Sequence, residues 1–328
     1  MTNSDYAVQL QAAADFIRNH DDFLVVSHVQ PDGDAAGSTF GVAWMLHALG
    51  KTFTLINEGK MPGKFLYMAG PHPIVNFEEN PPARVFGAVI SVDCADFGRI
   101  GQVHQCFAED ALLLNIDHHA TNDGFGAVNL VRSDAAATVE ILYDLAGELG
   151  ITCSDEWNIC IYSGLLTDTG GFRYSSTSPK VMRIAADLLG RGVQGHQLAE
   201  KLLETMTFPQ ISLLKSSLNT LSFAHDKRVA WLSVSEEELN ASGASSEDMD
   251  GLVNYARNVE GVWVGILFKE KRRGLVKVSL RSGGEANVAE IAQRFGGGGH
   301  IRAAGCAVEG SLQEVIDRVV QEVGSALL

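Results

Sequence analysis

The fold class of this 328-residue chain is decided by the stretch Ala111-Leu112-Leu113-Leu114-Asn115-Ile116-Asp117-His118-His119. Its apolar run is typical of a strand that is buried on both faces of a parallel sheet. Acids and imidazoles are costly to bury unless they are paired or bound to a metal, so strand packing alone does not explain the final three residues. Open parallel sheets bind their ligands at the carboxyl ends of the strands. The sequence therefore predicts a functional site where this strand ends.

Two further apolar runs end in the same kind of residue. Phe23–Val26 leads through His28 to Asp32 and Asp34, and Ala88–Val92 ends at Asp93. Predicted helices alternate with these strands, which favours the α/β class, with a mostly parallel sheet flanked by helices. Three strands that deliver acids and histidines to one edge predict a metal site.

The pattern of predicted elements changes in the last third of the chain, where strands cluster and a smaller α+β domain is expected. The sequence thus predicts a catalytic domain over residues 1–195, a helical linker over 196–220 and a second domain over 221–328. Within the linker, residues 196–218 are expected to form a connecting helix.

Composition excludes several classes of protein. Hydrophobic residues make up 46% of the chain and charged residues 20%, as in ordinary globular proteins. No apolar stretch reaches the ~18 residues that a membrane span needs, and the first residues lack the pattern of a signal peptide. Five cysteines without a CxxC pair predict neither disulfides nor a zinc ribbon, so we expect a cytoplasmic protein. The net charge of -15 argues against binding to long duplex nucleic acid.

The predicted site combines four carboxylates with two imidazoles, from His28, Asp32, Asp34, Asp93, His118 and Asp168. This donor set favours Mn²⁺, Mg²⁺ or Co²⁺ over thiolate-bound zinc. A carboxylate that bridges two ions holds them ~3.5–4 Å apart, which suits in-line displacement at phosphorus. Each motif alone has a plainer reading, since Asp32-Gly33-Asp34 is also an ordinary turn and Asp168 could merely end a helix.

Taken in order, these motifs resemble those of the DHH phosphoesterase superfamily. The resemblance rests on His28–Asp34, Val92-Asp93-Cys94, Asp117-His118-His119 and Thr167–Gly170. In the second domain, three features look like the DHH-associated C-terminal domain: Arg281, the run Phe295–His300 and Ala303-Ala304-Gly305. The whole chain is most similar to the nano-RNase A branch, which comprises bifunctional oligoribonucleases and 3′-phosphoadenosine 5′-phosphate (pAp) phosphatases.

The resemblance implies a role for each matching residue. One metal ion would be bound by His28, Asp32 and Asp93, and the other by Asp34, Asp93, His118 and Asp168. His119 would face the scissile phosphate as an electrostatic stabiliser or general acid, and Asp117 would orient a histidine. The far end of the substrate would be bound by Arg281, Gly297, Gly298, Gly299 and His300.

The resemblance also implies the activity, which is hydrolysis of short RNA exonucleolytically to mononucleotides, and of pAp to AMP. Two divalent ions, with Mn²⁺ as first choice, would be the cofactors, and short oligonucleotides or small nucleotides the partners. A homodimer is left open. The nearest alternative is a phosphodiesterase for cyclic di-AMP or pApA. A pyrophosphatase is less favoured because it pairs this site with a different C-terminal domain, and a non-catalytic nucleotide sensor because the ligand set is complete.

Overall fold

A computed structural model gives the fold of the chain and describes residues 3–245, 247–249, 251–272, 274–283 and 286–327. The chain divides into two compact units between Thr205 and Met206. Among the helices in the described ranges, none is long and apolar enough to cross a membrane.

The first unit is built on a parallel sheet, as the sequence predicts. Its strands are β1 (Phe23–Val26), β2 (Phe53–Asn57), β3 (Ile74–Asn76), β4 (Phe86–Val92), β5 (Phe107–Asp117) and β6 (Val128–Val131). They lie in the order β3-β2-β1-β4-β5-β6, and every pair is parallel within the described ranges. The chain order reverses between β1 and β4, which is where open α/β sheets form a crevice for ligands.

Helices cover this sheet. They are α1 (Asn3–Asn19), α2 (Gly33–Ala48), α3 (Thr138–Leu149), α4 (Asp155–Asp168), α5 (Pro179–Gly190) and α6 (Gly195–Ala199). Short 3₁₀ helices occupy Gly63–Met68 and Phe97–Cys106, and a π-helical turn occupies Glu200–Glu204.

Strand β1 shows why a continuous apolar run forms this kind of sheet. Its side chains alternate between two hydrophobic clusters, with Phe23 and Val25 in one and Leu24 and Val26 in the other. Helices α1 to α5 contribute to the larger cluster, while the 3₁₀ helix Phe97–Cys106 contributes to the smaller one. Both faces of the sheet are therefore buried, and polar side chains can reach a ligand only at the strand ends.

The second unit contains a mixed sheet. Its strands are β7 (Ser222–Ala224), β8 (Val229–Val234), β9 (Val264–Arg272), β10 (Leu275–Ser282), β11 (Gly298–His300) and β12 (Ala303–Glu309). They lie in the order β11-β12-β10-β9-β8-β7, and the pair β8–β9 is parallel. The helices are α7 (Phe208–Leu218), α8 (Glu236–Ser242), α9 (Val253–Arg257), α10 (Val288–Gln293) and α11 (Leu312–Ala326). One face of the sheet packs against α10 and α11, and the other against α7 and α9.

The expectation of one continuous helix over 196–218 is wrong. The described backbone breaks at residues 205–207, between the π-helical turn and α7. Thr207 caps α7 by accepting a hydrogen bond from the backbone N–H of Gln210, and Pro209 occupies the first turn. Proline favours a helix start and disfavours a continuing helix, so this segment is two helices.

Candidate active site

The predicted ligands of the first unit converge at the carboxyl edge of the sheet. His28 follows β1, Asp93 follows β4, and His118 and His119 follow β5. Helix ends supply the remaining carboxylates, since Asp32 caps α2, Asp34 lies in its first turn and Asp168 is the last residue of α4. Ligand atoms approach within 4.8 Å of one another in three groups: His28–Asp32–Asp93, Asp34–His118–Asp168 and Asp93–His118–His119.

Asp93 lies at the centre of the cluster, with His28 on one side of its carboxylate and His118 on the other. Its Oδ2 is 3.6 Å from His28 Nε2, and its Oδ1 is 3.6 Å from His118 Nε2. The backbone of Asp93 has φ +59°, a left-handed conformation that is uncommon for a non-glycine residue. Its N–H donates to Ile116 O at 2.9 Å, which fixes this conformation beside β5. Strain of this kind persists where the surroundings hold it and is common at active sites.

The first turn of α3 binds two of the carboxylates. The backbone N–H groups of Thr138 and Val139 donate to the two oxygens of Asp34, at 2.6 and 3.1 Å. The hydroxyl of Thr138 donates to Asp93 Oδ1 at 2.9 Å. A helix N-terminus stabilises negative charge, so α3 both orients and stabilises carboxylates that crowd one another.

Close packing lets α2 and α4 bring Asp34 and Asp168 together. A Cβ on Gly37 would lie 2.7 Å from Cys160 O, and one on Gly164 would lie 2.9 Å from Asp34 Oδ1. Such distances are shorter than side chains tolerate, so glycine is required where these helices touch. His118 completes the group with Asp34 and Asp168, since its Nε2 lies 3.9 Å from Asp34 Oδ2 and 3.4 Å from Asp168 Oδ2.

His28 is held by its backbone and by a buried amide at the end of β2. Its Nδ1 donates to Val29 O at 2.9 Å, which directs Nε2 toward the carboxylates. Asn57, which is fully buried, donates from Nδ2 to His28 O at 3.0 Å and accepts at Oδ1 from the N–H and hydroxyl of Ser27. Asn57 therefore fixes the turn that presents His28.

Asp117 is hydrogen-bonded to His119, and its role in orienting that histidine stays a prediction. Its Oδ1 accepts a hydrogen bond from His119 Nδ1 at 2.7 Å, and its Oδ2 accepts one from Asn122 Nδ2 at 2.7 Å. Asn122 also donates to Cys94 O, which ties the loop after β5 to the loop after β4. Burial lowers the pKa of His119, but the hydrogen bond to Asp117 and the charge of Asp93 raise it above its ordinary value.

Crowding of the carboxylates perturbs their protonation. Burial, followed by the charges of Asp93 and Asp168, raises the pKa of Asp34 well above its ordinary range. Burial and the charges of Asp32 and Asp93 do the same to the pKa of Asp168. Burial also acts to raise the pKa of Asp93, but the hydrogen bond from His28 and the charge of His118 lower it overall. A cation placed among these groups would relieve the repulsion.

The donor set fits divalent metal ions. Carboxylate oxygens dominate it, two imidazole Nε2 atoms point inward, and the described groups include no cysteine. Oxygen-rich sites of this kind suit Mn²⁺ or Mg²⁺. Proteins of the DHH phosphoesterase class are metal-dependent, and the residues of this chain can hold a metal.

The predicted substrate-binding residues lie together in the second unit. Arg281 on β10 and His300 on β11 both pair with Ala303 of the intervening strand β12. The side chain of His300 lies outside the described part of the chain. Gly297 and Gly299 run close to β12, where added Cβ atoms would lie 2.2 Å from Gly305 O and 2.5 Å from Ala303 O. Close backbone approach thus explains these two glycines, and their role toward a substrate stays a prediction.

Three residues that hold the site were missed by sequence reasoning, namely Asn57, Asn122 and Thr138. Asn57 had a usable signal, because it ends the apolar run Phe53–Asn57 as Asp93 ends β4. Thr138 and Asn122 gave none, because threonine at a helix start and asparagine in a loop are ordinary.

Comparison with known proteins assigns the class. Residues 22–165 match the DHH family, N-terminal domain, and residues 227–327 match the DHHA1 domain. The fold and the site are those of a DHH-family phosphoesterase, and this chain belongs to that family.

Within the family, the chain is similar to bacterial proteins over nearly its whole length. It is 33% identical over 306 residues to the bifunctional oligoribonuclease and PAP phosphatase NrnA of Thermus thermophilus, with 92% of this chain and 89% of the relative covered. The protein of the same name from Bacillus subtilis is 27% identical over 302 residues, covering 88% and 90%. An exopolyphosphatase-related protein from Bacteroides fragilis superposes with a TM-score of 0.88 at 25% identity, covering 97% and 96%.

Proposed function

We propose that this chain hydrolyses very short oligoribonucleotides exonucleolytically to mononucleotides, and also pAp to AMP. The names of its relatives from Thermus thermophilus and Bacillus subtilis support both activities, since each alignment covers about nine-tenths of both chains. Both reactions are displacements at phosphorus, so one site can serve them. Degradation of short RNA also supports a cytoplasmic location.

The observation that carries the proposal is the placement of the two oxygens of Asp93. One faces His28 and the other faces His118, as a carboxylate between two ions requires. We propose that His28, Asp32 and Asp93 hold one Mn²⁺ ion. Asp34, Asp93, His118 and Asp168 would hold the second.

Divalent ions bound there would neutralise charge at the phosphoryl oxygens and lower the pKa of the attacking water. His119 would hold a proton at Nε2 and donate a hydrogen bond to a phosphoryl or leaving oxygen, because its Nδ1 is engaged by Asp117. Asp117 would stabilise the imidazolium and set its orientation. Arg281 and the segment Gly297–His300 would bind the distal nucleotide or phosphate.

A substrate panel tests the proposal. The purified chain is incubated with pAp, pApA, cyclic di-AMP and RNA of increasing length, with Mn²⁺, Mg²⁺ or a chelator. We expect Mn²⁺-dependent release of AMP from pAp and of mononucleotides from the shortest RNA, and no turnover with the chelator. Faster turnover of cyclic di-AMP or pApA than of other substrates would favour the alternative phosphodiesterase. Binding of nucleotides without turnover of any would favour a sensor.

A further inference from the structure

A concave site lies in the first unit, at the same edge of the sheet as the candidate metal site. It has a volume of about 370 Å³ and lies past the carboxyl ends of β2 and β3. Its apolar lining is formed by Met61, Leu66, Ile74 and Val75. Met61 is buried, Ile74 and Val75 are half-buried, and Leu66 is 43% exposed. Exposed apolar surface inside a cavity indicates a ligand with an apolar face.

The rim of this cavity carries groups that hydrogen-bond. Lys60, Asn76, Glu79 and Asn80 line it. The turn that presents the last three is fixed, because Asn80 N donates to Asn76 O at 2.9 Å and Glu78 N donates to Asn76 Oδ1 at 3.1 Å. Amides and a carboxylate can pair with the polar edge of a flat heterocycle, and an ammonium can pair with a phosphate.

The lining of the cavity lies close along the chain to the residue that fixes His28. Its lining begins at Gly59 and Lys60, two and three residues past Asn57, the residue that fixes His28. Three residues of chain span at most about 11 Å, so Lys60 is near the turn of Ser27 and His28. Glu58 and Val29 also approach each other, because a Cβ on Gly101 would contact both. A substrate held at the metal site can therefore reach the cavity with the adjoining nucleotide.

We propose that this cavity binds the nucleobase of a nucleotide adjoining the scissile phosphate, a subsite that deepens the function proposed above and rests on it. The base would stack on Leu66 and Ile74 while its polar edge faces Asn76, Glu79 and Asn80, and Lys60 would pair with a backbone phosphate. Because every base has a flat face that can pack on apolar side chains, the site would accept any base.

Equilibrium binding to the full-length chelated protein tests the subsite apart from catalysis. Fluorescently labelled diribonucleotide is compared with two analogues, each lacking one base. Burial of the face of a base against aliphatic side chains contributes about tenfold to affinity, so one of the two analogues should bind about tenfold more weakly than the parent. Leu66→Ser removes an exposed apolar contact without opening the core. It should raise the Kd of the diribonucleotide about fivefold and leave the Kd of that analogue unchanged.

Leu189→Ser is the matched control, because Leu189 is 47% exposed on α5 and does not line the cavity. It should change neither Kd. The subsite would be overturned if both analogues bound as tightly as the parent. It would also be overturned if Leu66→Ser raised the Kd of the parent and of that analogue by the same factor. The substrate panel tests the proposed function separately. A protein that binds the base but hydrolyses no substrate would support the subsite and contradict the proposed activity.

Discussion

Thr138 Oγ1 donates a hydrogen bond to Asp93 Oδ1 at 2.9 Å, and both residues are buried. This contact joins the first turn of α3 to the carboxylate that faces both groups of ligands. The hydroxyl uses one lone pair of Oδ1 and thereby sets the direction of the others, while the strained backbone of Asp93 stays in place.

Replacing Thr138 by valine keeps the shape of the side chain and removes that hydrogen bond. We expect the Kd for Mn²⁺ to rise about 10- to 100-fold, because groups that orient metal ligands contribute this much. Thr138→Ser retains the hydroxyl and serves as the control, so it should bind Mn²⁺ nearly as the wild type does. Titration calorimetry measures both variants, and equal weakening in the two would assign Thr138 a packing role only.

The pH dependence of turnover tests the pair Asp117–His119. Burial lowers the pKa of His119, but the hydrogen bond to Asp117 and the charges of Asp93 and Asp117 together raise it overall. The imidazolium is present at low pH and is lost as pH rises through that pKa, so activity that needs it falls on the alkaline side. Asp117→Asn should move this fall to lower pH and reduce kcat about 10²- to 10⁴-fold.

Asp123→Asn is the control for this profile, because Asp123 is exposed in the same loop. It should leave both kcat and the alkaline limb unchanged. A fall that stays in place, or moves to higher pH, in Asp117→Asn would contradict the role of His119 as a protonated group.

Asp168→Asn should stabilise the protein in chelator. Burial raises the pKa of Asp168 above 3.8, so the folded state keeps a proton that the unfolded chain releases. Stability of the metal-free protein therefore falls as pH rises above about 4, and removing the carboxylate reverses part of that loss. Differential scanning fluorimetry near pH 8 should show a higher Tm, by about 2–4 °C for each kcal/mol gained.

The same variant should show a smaller rise in Tm on addition of Mn²⁺, because it lacks a ligand. Asp110→Asn is the control, since Asp110 is exposed at the other end of β5. A lower Tm for Asp168→Asn in chelator would mean that the carboxylate is stabilised without a cation.

Asn57→Ala should affect both stability and metal binding. It leaves the N–H of Ser27 and the carbonyl of His28 without their buried partner, which costs about 1–3 kcal/mol of the free energy of unfolding. The turn that presents His28 also loosens, so the Kd for Mn²⁺ should rise. Urea unfolding and calorimetry measure the two effects, with Asn19→Ala, at an exposed helix end, as control. No change in either would show that Asn57 does not fix the turn.

Much of the first unit could be predicted because its strands are unbroken apolar runs that end in charged residues. The end of β4 at Val92 places Asp93, and the end of β5 places His118 and His119, so one rule locates three residues of the site. The strands β3 and β6 were missed, because three or four residues are too few to show a periodicity.

The second unit was harder to predict where its backbone is rich in glycine. Gly298–His300 forms β11, because it pairs with β12 and glycine permits that close approach. Helix α8 was missed although Ser235 and Glu238 form a capping box, since only seven residues follow and none is buried. Pairing with β12 decides β11, and a single sequence does not encode such pairing locally.

The stoichiometry of Mn²⁺ binding tests the central claim most directly. Metal analysis after equilibrium dialysis should find two Mn²⁺ ions per chain in the wild type and in Asp110→Asn. Asp93→Asn preserves the shape of the side chain but removes the charge between the two groups of ligands, so it should bind fewer than two ions and hydrolyse neither pAp nor short RNA. A wild type that binds one ion or none, or an Asp93→Asn variant that binds two with unchanged affinity, would contradict a dinuclear site bridged by Asp93.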